Sequence, residues 1–264
     1  GDGTPVNAVY GFTAMLMKLI DDMQPDHVAV VFDVARKTFR SDIYPDYKAN
    51  RSEPPEELVP QFALVREATA ALTLPAVELA GFEADDMIAT YAAAAEAAGL
   101  AITIVSSDKD LMQLVRGDVT MFDPMKQRRI GAAEVVERLG VPPEKVVDVQ
   151  ALAGDSTDNV PGVPGIGIKT AAELITTYGD LETLLARADE IKQPKRRENL
   201  LNFAEQARIS RQLVLLRDDA PMPLALDALK TPARDMDRLI AFLQQQDFKR
   251  LLVRVGAGGA APQH

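Results

Sequence analysis

ALAGDSTDNVPGVPGIGIKTAA, residues 151–172, joins two signals in one stretch. Its first half sets Asp155 and Asp158 three positions apart on a Gly-Asp-Ser-Thr-Asp turn. Its second half, Gly162-Val-Pro-Gly-Ile-Gly167, alternates glycine with apolar residues and runs into a helix predicted from about Ile168. Glycines in such a hairpin let the backbone approach a ligand closely. Free amides at the following helix start favour an anion such as phosphate. Carboxylates suited to a metal ion therefore stand just ahead of a phosphate cradle. The plain structural reading of the same residues is an Asx-rich turn before a helix.

Outward from this stretch, Val28–Phe32 (VAVVF) and Ala101–Val105 (AITIV) are short, largely β-branched runs that read as buried strands. Ala76–Leu79 and Val119–Phe122 are weaker strand candidates. Helices are predicted over Thr4–Met23, within the proline-started segment 52–72, and over 82–100, where Glu83, Asp85 and Asp86 crowd the first turn and Gly99 closes the end. Strands alternating with helices predict an α/β fold over residues 1–130, a mostly parallel central sheet flanked by helices. Ligands of such sheets bind beyond the carboxyl ends of the strands. Asp33, Asp108 and Asp110 fall at those ends, and the acidic helix start at Glu83 follows a strand candidate. From 131 to 255 the pattern is helical only, with the glycine hairpin inside 160–175. The Gly/Ala/Pro run 256–264 reads as a flexible tail or linker.

Composition narrows the chemistry. With no cysteine and two histidines, one of them the last residue, disulfides, thiolate metal sites and a histidine triad are excluded or improbable. Metal chemistry must use oxygen ligands, which points to Mg²⁺ or Mn²⁺. No run approaches the ~18 apolar residues of a membrane span, and the start lacks the basic run of a secretory leader, so the expected location is cytoplasmic. Net charge is 29 − 39 = −10, which argues against a generic nucleic-acid binder. The basic residues are nonetheless clustered: Arg36, Lys37 and Arg40; Lys48 and Arg51; Lys126, Arg128 and Arg129; and Lys192 with Lys195–Arg197. An acidic pocket between basic patches suits a metal-dependent enzyme acting on a polyanion. Solvated surface charge is an equally good account of the 126–129 group.

Eight carboxylates are candidates for one site: Asp33, Glu83, Asp85, Asp86, Asp108, Asp110, Asp155 and Asp158. Like charges raise one another's pKa values, so these groups cannot all stay ionised together without cations. Two Mg²⁺ ions resolve that repulsion, and such a pair can activate water and stabilise the leaving oxygen in phosphodiester hydrolysis. A phosphatase with a nucleophilic aspartate after VVF would need a second acid two residues beyond Asp33, where Ala35 stands.

GTPVNAVYGF, VVFD, FRSDIYPDYKANR, GFEADDMIAT, VSSDKDLMQLV and the 151–172 stretch occur in one order. In this the chain resembles the 5′-nuclease domains of the bacterial DNA polymerase I type, within the flap-endonuclease family. The resemblance implies a PIN/5′-nuclease-like fold with a helical part containing a helix-hairpin-helix. It also implies a 5′-to-3′ exonuclease and flap endonuclease of replication and repair that works with two divalent ions. Asp33, Glu83 and Asp85 would belong to one metal region, with Asp86 beside them, and Asp108, Asp110, Asp155 and Asp158 to the other. Lys48 and Arg51 match catalytic basic residues at the base of a helical arch, expected over 36–60, with Lys48 over the scissile phosphate. Arg40 and Tyr47 would contact DNA, Tyr47 by stacking on an unpaired base or else by packing the arch. Gly165, Gly167, Lys169 and Thr170 would grip duplex phosphates, with K⁺ at the hairpin. Implied partners are DNA with 5′ flaps, nicks or single-strand junctions and a linked polymerase domain, at the bacterial nucleoid. The family pattern opens with a strand bearing one more aspartate. The present sequence begins beyond that point, and Asp2 is a poor substitute, so a DNA-binding module with lost or impaired cleavage is the alternative expectation.

Overall fold

Residues 3–34 and 37–258 are described by the computed structural model. Arg36 and Asp2, singled out above, lie outside them, as does most of the 256–264 tail. The chain divides into two compact units, each assembled from separated stretches: Gly1–Phe32, Ser52–Glu78 and Pro223–His264 in the first, Asp33–Arg51 and Leu79–Met222 in the second.

In the first unit, α1 (Asn7–Met23) buries Val9, Thr13, Leu16 and Met17, a spacing that places them on one helical face. That face packs with Ala68 and Leu72, from and just after α3 (Val59–Ala71), and with Leu239 and Leu243 of α11 (Met236–Gln245). β1 (Val30–Val31) pairs in parallel with β2 (Ala76–Val77). The helical pattern read over 131–255 does not run unbroken through its last stretch. Instead α11 stops and α12 (Lys249–Arg254) begins afresh, because Asp247 takes a left-handed φ of 57° and returns Phe248 to the core. There the Phe248 ring meets Tyr10 edge-on at 5.2 Å.

The second unit starts with α2 (Phe39–Ile43) and continues through turns over residues 45–50. After α4 (Ala84–Ala97), β3 (Ile102–Val105) pairs in parallel with β4 (Val119–Asp123), and β5 (Arg128–Ile130) returns antiparallel to β4. The strands thus form two small sheets, parallel as expected except for β5. β5 is not legible in the sequence because its basic residues mask it. Asp123 Oδ1 accepts bonds from the amides of Met125 and Lys126 at 2.9 and 3.1 Å, tightening the connecting turn. Arg128 pairs with Glu137 at 3.0 Å on the exposed edge, so this basic group is surface charge that blunts an edge strand.

Helices α5 (Ala132–Leu139), α6 (Val146–Ala153), α7 (Ile168–Tyr178), α8 (Leu181–Ala186), α9 (Pro194–Asn202) and α10 (Ala204–Val214) complete this unit. Every residue of α6 from Val146 to Leu152 is buried, so it is the axis on which the others pack. The chain leaves α6 through Gly154 and comes back at Gly162, both at positive φ. Asp155 and Val160 exchange backbone hydrogen bonds of 3.0 and 2.8 Å, closing the turn between them. A Cβ on Gly162 would lie 2.5 Å from the Gly154 nitrogen, and one on Gly154 would lie 2.6 Å from the Val160 oxygen. Gly162→Ala therefore combines a backbone clash with a strained φ. It should lower stability by at least about 1 kcal/mol, read as a fall in the urea midpoint; an unchanged midpoint would mean that the crossing relaxes freely.

Candidate metal centre

Three local devices bring the carboxylates of the second unit together. Beyond β3, the amide of Asp108 donates to Ser106 Oγ at 3.0 Å, and Asp108 Oδ1 accepts from the Asp110 amide at 2.9 Å. Asp108 thereby caps the 3₁₀ turn Lys109–Leu114 and fixes both acids. Asp85 sits in the first turn of α4, where carboxylates complement the helix dipole. Asp155 and Asp158 occupy the turn closed by the glycine crossing, and Asp155 Oδ1 accepts from the Thr157 amide at 2.9 Å.

The result is two groups that share a member, and they divide the acids otherwise than the resemblance implied, with Asp108 and Asp110 beside Asp85 rather than apart from it. Ligand oxygens of Asp85, Asp108 and Asp110 lie within 4.8 Å of one another, as do those of Asp110, Asp155 and Asp158. With Asp33 and Glu83 they line a cavity of about 200 Å³. Asp33 Oδ1 accepts the Ala84 amide at 2.7 Å, tying it to the start of α4. Only oxygen donors face this space from the two groups, and clustered carboxylates are the donor set that hard divalent cations select. The residues present therefore fit the divalent ions that the family resemblance implies.

Basic groups lie on the same cavity. Lys48 Nζ pairs with Glu83 Oε1, and Arg51 pairs with Asp158 Oδ1. Their loop is docked on the acidic turn by bonds to main-chain carbonyls: the Lys48 amide donates to the Asp158 carbonyl at 2.7 Å, Asn159 Nδ2 to the Asp46 carbonyl at 2.7 Å, and Asn50 Nδ2 to the Ser156 carbonyl at 2.6 Å. Lys48 holds a left-handed φ of 58° there.

Two expected roles change, and of the two readings open for Tyr47 the structure favours packing. Arg40 was expected at DNA, but it is 0% exposed. Its Nε donates to the Leu213 oxygen at 2.6 Å, Nη1 to Glu83 and Asp86 at 2.5 and 2.6 Å, and Nη2 to Asp86 and the Leu215 oxygen at 2.8 and 3.1 Å. All five guanidinium donors are thus spent inside the protein. Burial opposes its charge, but the Asp86 hydrogen bond and then Glu83 outweigh burial and hold its pKa above the usual range. Asp86 is likewise 0% exposed and, with one oxygen also accepting the Arg217 amide at 2.9 Å, does not line the cavity. Tyr47 is 9% exposed and its hydroxyl donates to Glu83 at 3.1 Å, so packing rather than base stacking is its role in this structure. Burial, then the Glu83 charge, raises its pKa.

The hairpin residues form a separate surface, absent from the cavity wall. Val163 and Ile166 are buried anchors, while Gly165, at φ +79°, and Gly167 are exposed, with Lys169 exposed and Thr170 half-exposed. Sequence reasoning missed two residues. Asn199 of α9 donates to the Pro164 oxygen at 3.0 Å and steadies the hairpin. Gln150 of α6 donates to Asp110 Oδ1 at 2.8 Å. The available signal was an uncharged polar residue in the apolar run VVDVQALA.

The chain matches the family model described as 5′-3′ exonuclease, N-terminal resolvase-like domain, over residues 1–140, and the one described as 5′-3′ exonuclease, C-terminal SAM fold, over 141–237. The chain belongs to the 5′-3′ exonuclease family. It is 58% identical over 261 residues to DNA polymerase I of Rhizobium leguminosarum, covering 96% of this chain and 26% of that protein. To DNA polymerase I of Bacillus subtilis it is 37% identical, covering 98% of this chain and 30% of that protein. The chain thus spans under a third of the length of these curated relatives. In fold it is similar to the T5 5′-exonuclease with bound zinc, at a TM-score of 0.70 and 23% identity, covering 96% of this chain and 91% of that one. The catalytic core of Rad2 in complex with DNA substrate gives a TM-score of 0.58 at 14% identity, covering 94% and 83%.

Two acids are pushed upward without metal. Burial, then the charges of Asp108, Glu83, Asp110 and Asp33, raises Asp85 to about 8. Burial and Asp108 raise Asp110 to about 6, against the Gln150 hydrogen bond, which lowers it. A carboxylate whose folded pKa lies above its unfolded value of 3.8 stabilises the fold below that value and loses this contribution as pH rises through the folded pKa. The metal-free chain should therefore lose thermal stability between about pH 4 and pH 8 from these two groups. Added Mg²⁺ or Mn²⁺ should shrink that loss, and a metal-independent pH profile in differential scanning calorimetry would refute it.

Proposed function

We propose that this chain is a structure-specific 5′-nuclease that hydrolyses DNA phosphodiesters at 5′ flaps, nicks and single-strand junctions. The observation that carries this reading is Asp110 standing in both acid groups, an arrangement suited to two neighbouring divalent ions. Asp85, Asp108 and Asp110 would hold one Mg²⁺ or Mn²⁺ ion and Asp110, Asp155 and Asp158 the other, with Asp33 and Glu83 on the same wall. Ions so held supply a nucleophilic water and charge stabilisation at the leaving oxygen. Lys48 and Arg51, now paired with Glu83 and Asp158, would turn to the non-bridging oxygens of the scissile phosphate and stabilise its developing charge.

The exposed hairpin glycines Gly165 and Gly167, with Lys169 and Thr170, would meet phosphates of the flanking duplex, with K⁺ as the bridging cation. Support comes from the Rad2 core, whose structure is of a complex with DNA substrate. Relatives named DNA polymerase I are about three to four times longer than the matched region, which supports a linked polymerase domain in the parent protein. Such a protein would work in the cytoplasm, at the nucleoid. Among the described residues, no helix is long and apolar enough to cross a membrane.

A 5′-labelled flap on a nicked duplex should give short products with Mg²⁺ and none with EDTA. Binding without products would favour the binding-module alternative. Asp108→Asn and Asp155→Asn should each lower the single-turnover rate by about 10²-fold or more, with DNA affinity equal or tighter because repulsion of phosphate falls. An unchanged rate in either variant removes that carboxylate from the site. Gly165→Val should weaken duplex binding several-fold, by strain and by loss of close approach, while metal affinity stays unchanged; equal duplex affinity would make the hairpin purely structural.

A further inference from the structure

Gln150 occupies the wholly buried helix α6 at 3% exposure, between Val149 and Ala151, which are both 0% exposed. Its Nε2 donates to Asp110 Oδ1 at 2.8 Å. Its Oε1 is the one buried side-chain polar atom with no hydrogen-bond partner among the described residues. A buried acceptor without a partner costs stability, so an apolar residue would suit this helix better on packing grounds alone. What the amide supplies is its donor, and that donor is aimed at the carboxylate common to both acid groups.

We propose that Gln150 is a positioning residue of the metal centre. It fixes the rotamer of Asp110, leaving the second oxygen, Oδ2, and the remaining lone pairs of Oδ1 for cations on either side. Asp108 is fixed by backbone turns on its own strand end, whereas Asp110 is held by this contact from another helix. Hydrogen bonds that orient a ligand in this way commonly carry one to two orders of magnitude in metal affinity. The inference rests on the nuclease reading above, in which Asp110 is a shared ligand.

The test is Gln150→Met, a near-isosteric change that removes donor and unpartnered acceptor together, compared with Gln150→Ala, which leaves a cavity. Mn²⁺ binding to the 264-residue chain is followed by electron paramagnetic resonance and calorimetry without DNA, beside thermal unfolding in EDTA. Gln150→Met should keep or raise the thermal midpoint in EDTA while weakening Mn²⁺ binding about 10-fold or more. The metal-loaded flap-cleavage rate should recover at high Mn²⁺. Gln150→Ala should lose both stability and metal affinity. A Gln150→Met chain that binds Mn²⁺ as the parent does overturns the proposal, as does one that loses stability with metal affinity intact. A parent chain that binds no Mn²⁺ overturns the shared-ligand reading beneath it, which separates the two failures.

Discussion

Seven carboxylates line one cavity of about 200 Å³ in the second unit, and the packing around that cavity is arranged to withstand their repulsion. At 4 Å and an effective dielectric constant near 20, two like charges cost about 4 kcal/mol. That is comparable with the whole stability of many domains. Glu83 is matched internally by Arg40 and Lys48, and Asp158 by Arg51. Among the described residues the Asp85, Asp108 and Asp110 group has no such cation, and here the pKa values rise, Asp85 to about 8 and Asp110 to about 6. Protons on these groups would compete with divalent ions, which couples metal binding to pH.

Asp155 and Asp158 are held in place by the backbone more than by any one side chain. The turn from Asp155 to Val160 closes on itself through its own backbone hydrogen bonds, and the Gly154–Gly162 crossing leaves no room for a Cβ on either strand. The Lys48 loop leans on that turn through three main-chain oxygens. The basic and acidic halves of the site are therefore tied together, and Lys48 and Arg51 are set beside the carboxylates by one backbone bond and two asparagine side chains.

Much of this was legible in the sequence because acids at strand ends and helix starts have fixed positions once the alternation of elements is recognised. Asp33, Glu83, Asp85, Asp108 and Asp110 reach the cavity for that reason, and Asp155 and Asp158 reach it on the glycine-bounded turn within the 151–172 stretch. What escaped depends on the long-range fate of a side chain. Arg40 sits beside Lys37 in a basic stretch, and nothing local distinguishes an arginine bound for DNA from one whose partners, Asp86 and the Leu213 and Leu215 carbonyls, lie far along the chain. β5 was hidden by Arg128 and Arg129, whose charge suits an edge strand but lacks the alternation that marks one. The two-unit division was hidden because each unit is drawn from separated stretches, whereas compositional shifts report only contiguous ones.

Arg40 also shows why a buried ion pair can be kept where it adds little net stability. Replacing a buried pair by apolar residues is often neutral or stabilising, while removing one partner alone typically costs about 3–5 kcal/mol. Here the guanidinium binds Asp86 through two parallel contacts, reaches the Leu213 and Leu215 carbonyls at the end of α10, and presents its remaining donor to Glu83. An apolar replacement would preserve packing but release Glu83 from one of the two cations that set its position. A lysine would keep the charge yet offer three donors without the planar fork. Arginine's advantage here is geometric: it anchors the start of α4, and so Glu83 and Asp85, against the end of α10, while Asp85, Asp108 and Asp110 keep no ion-pair partner among the described residues.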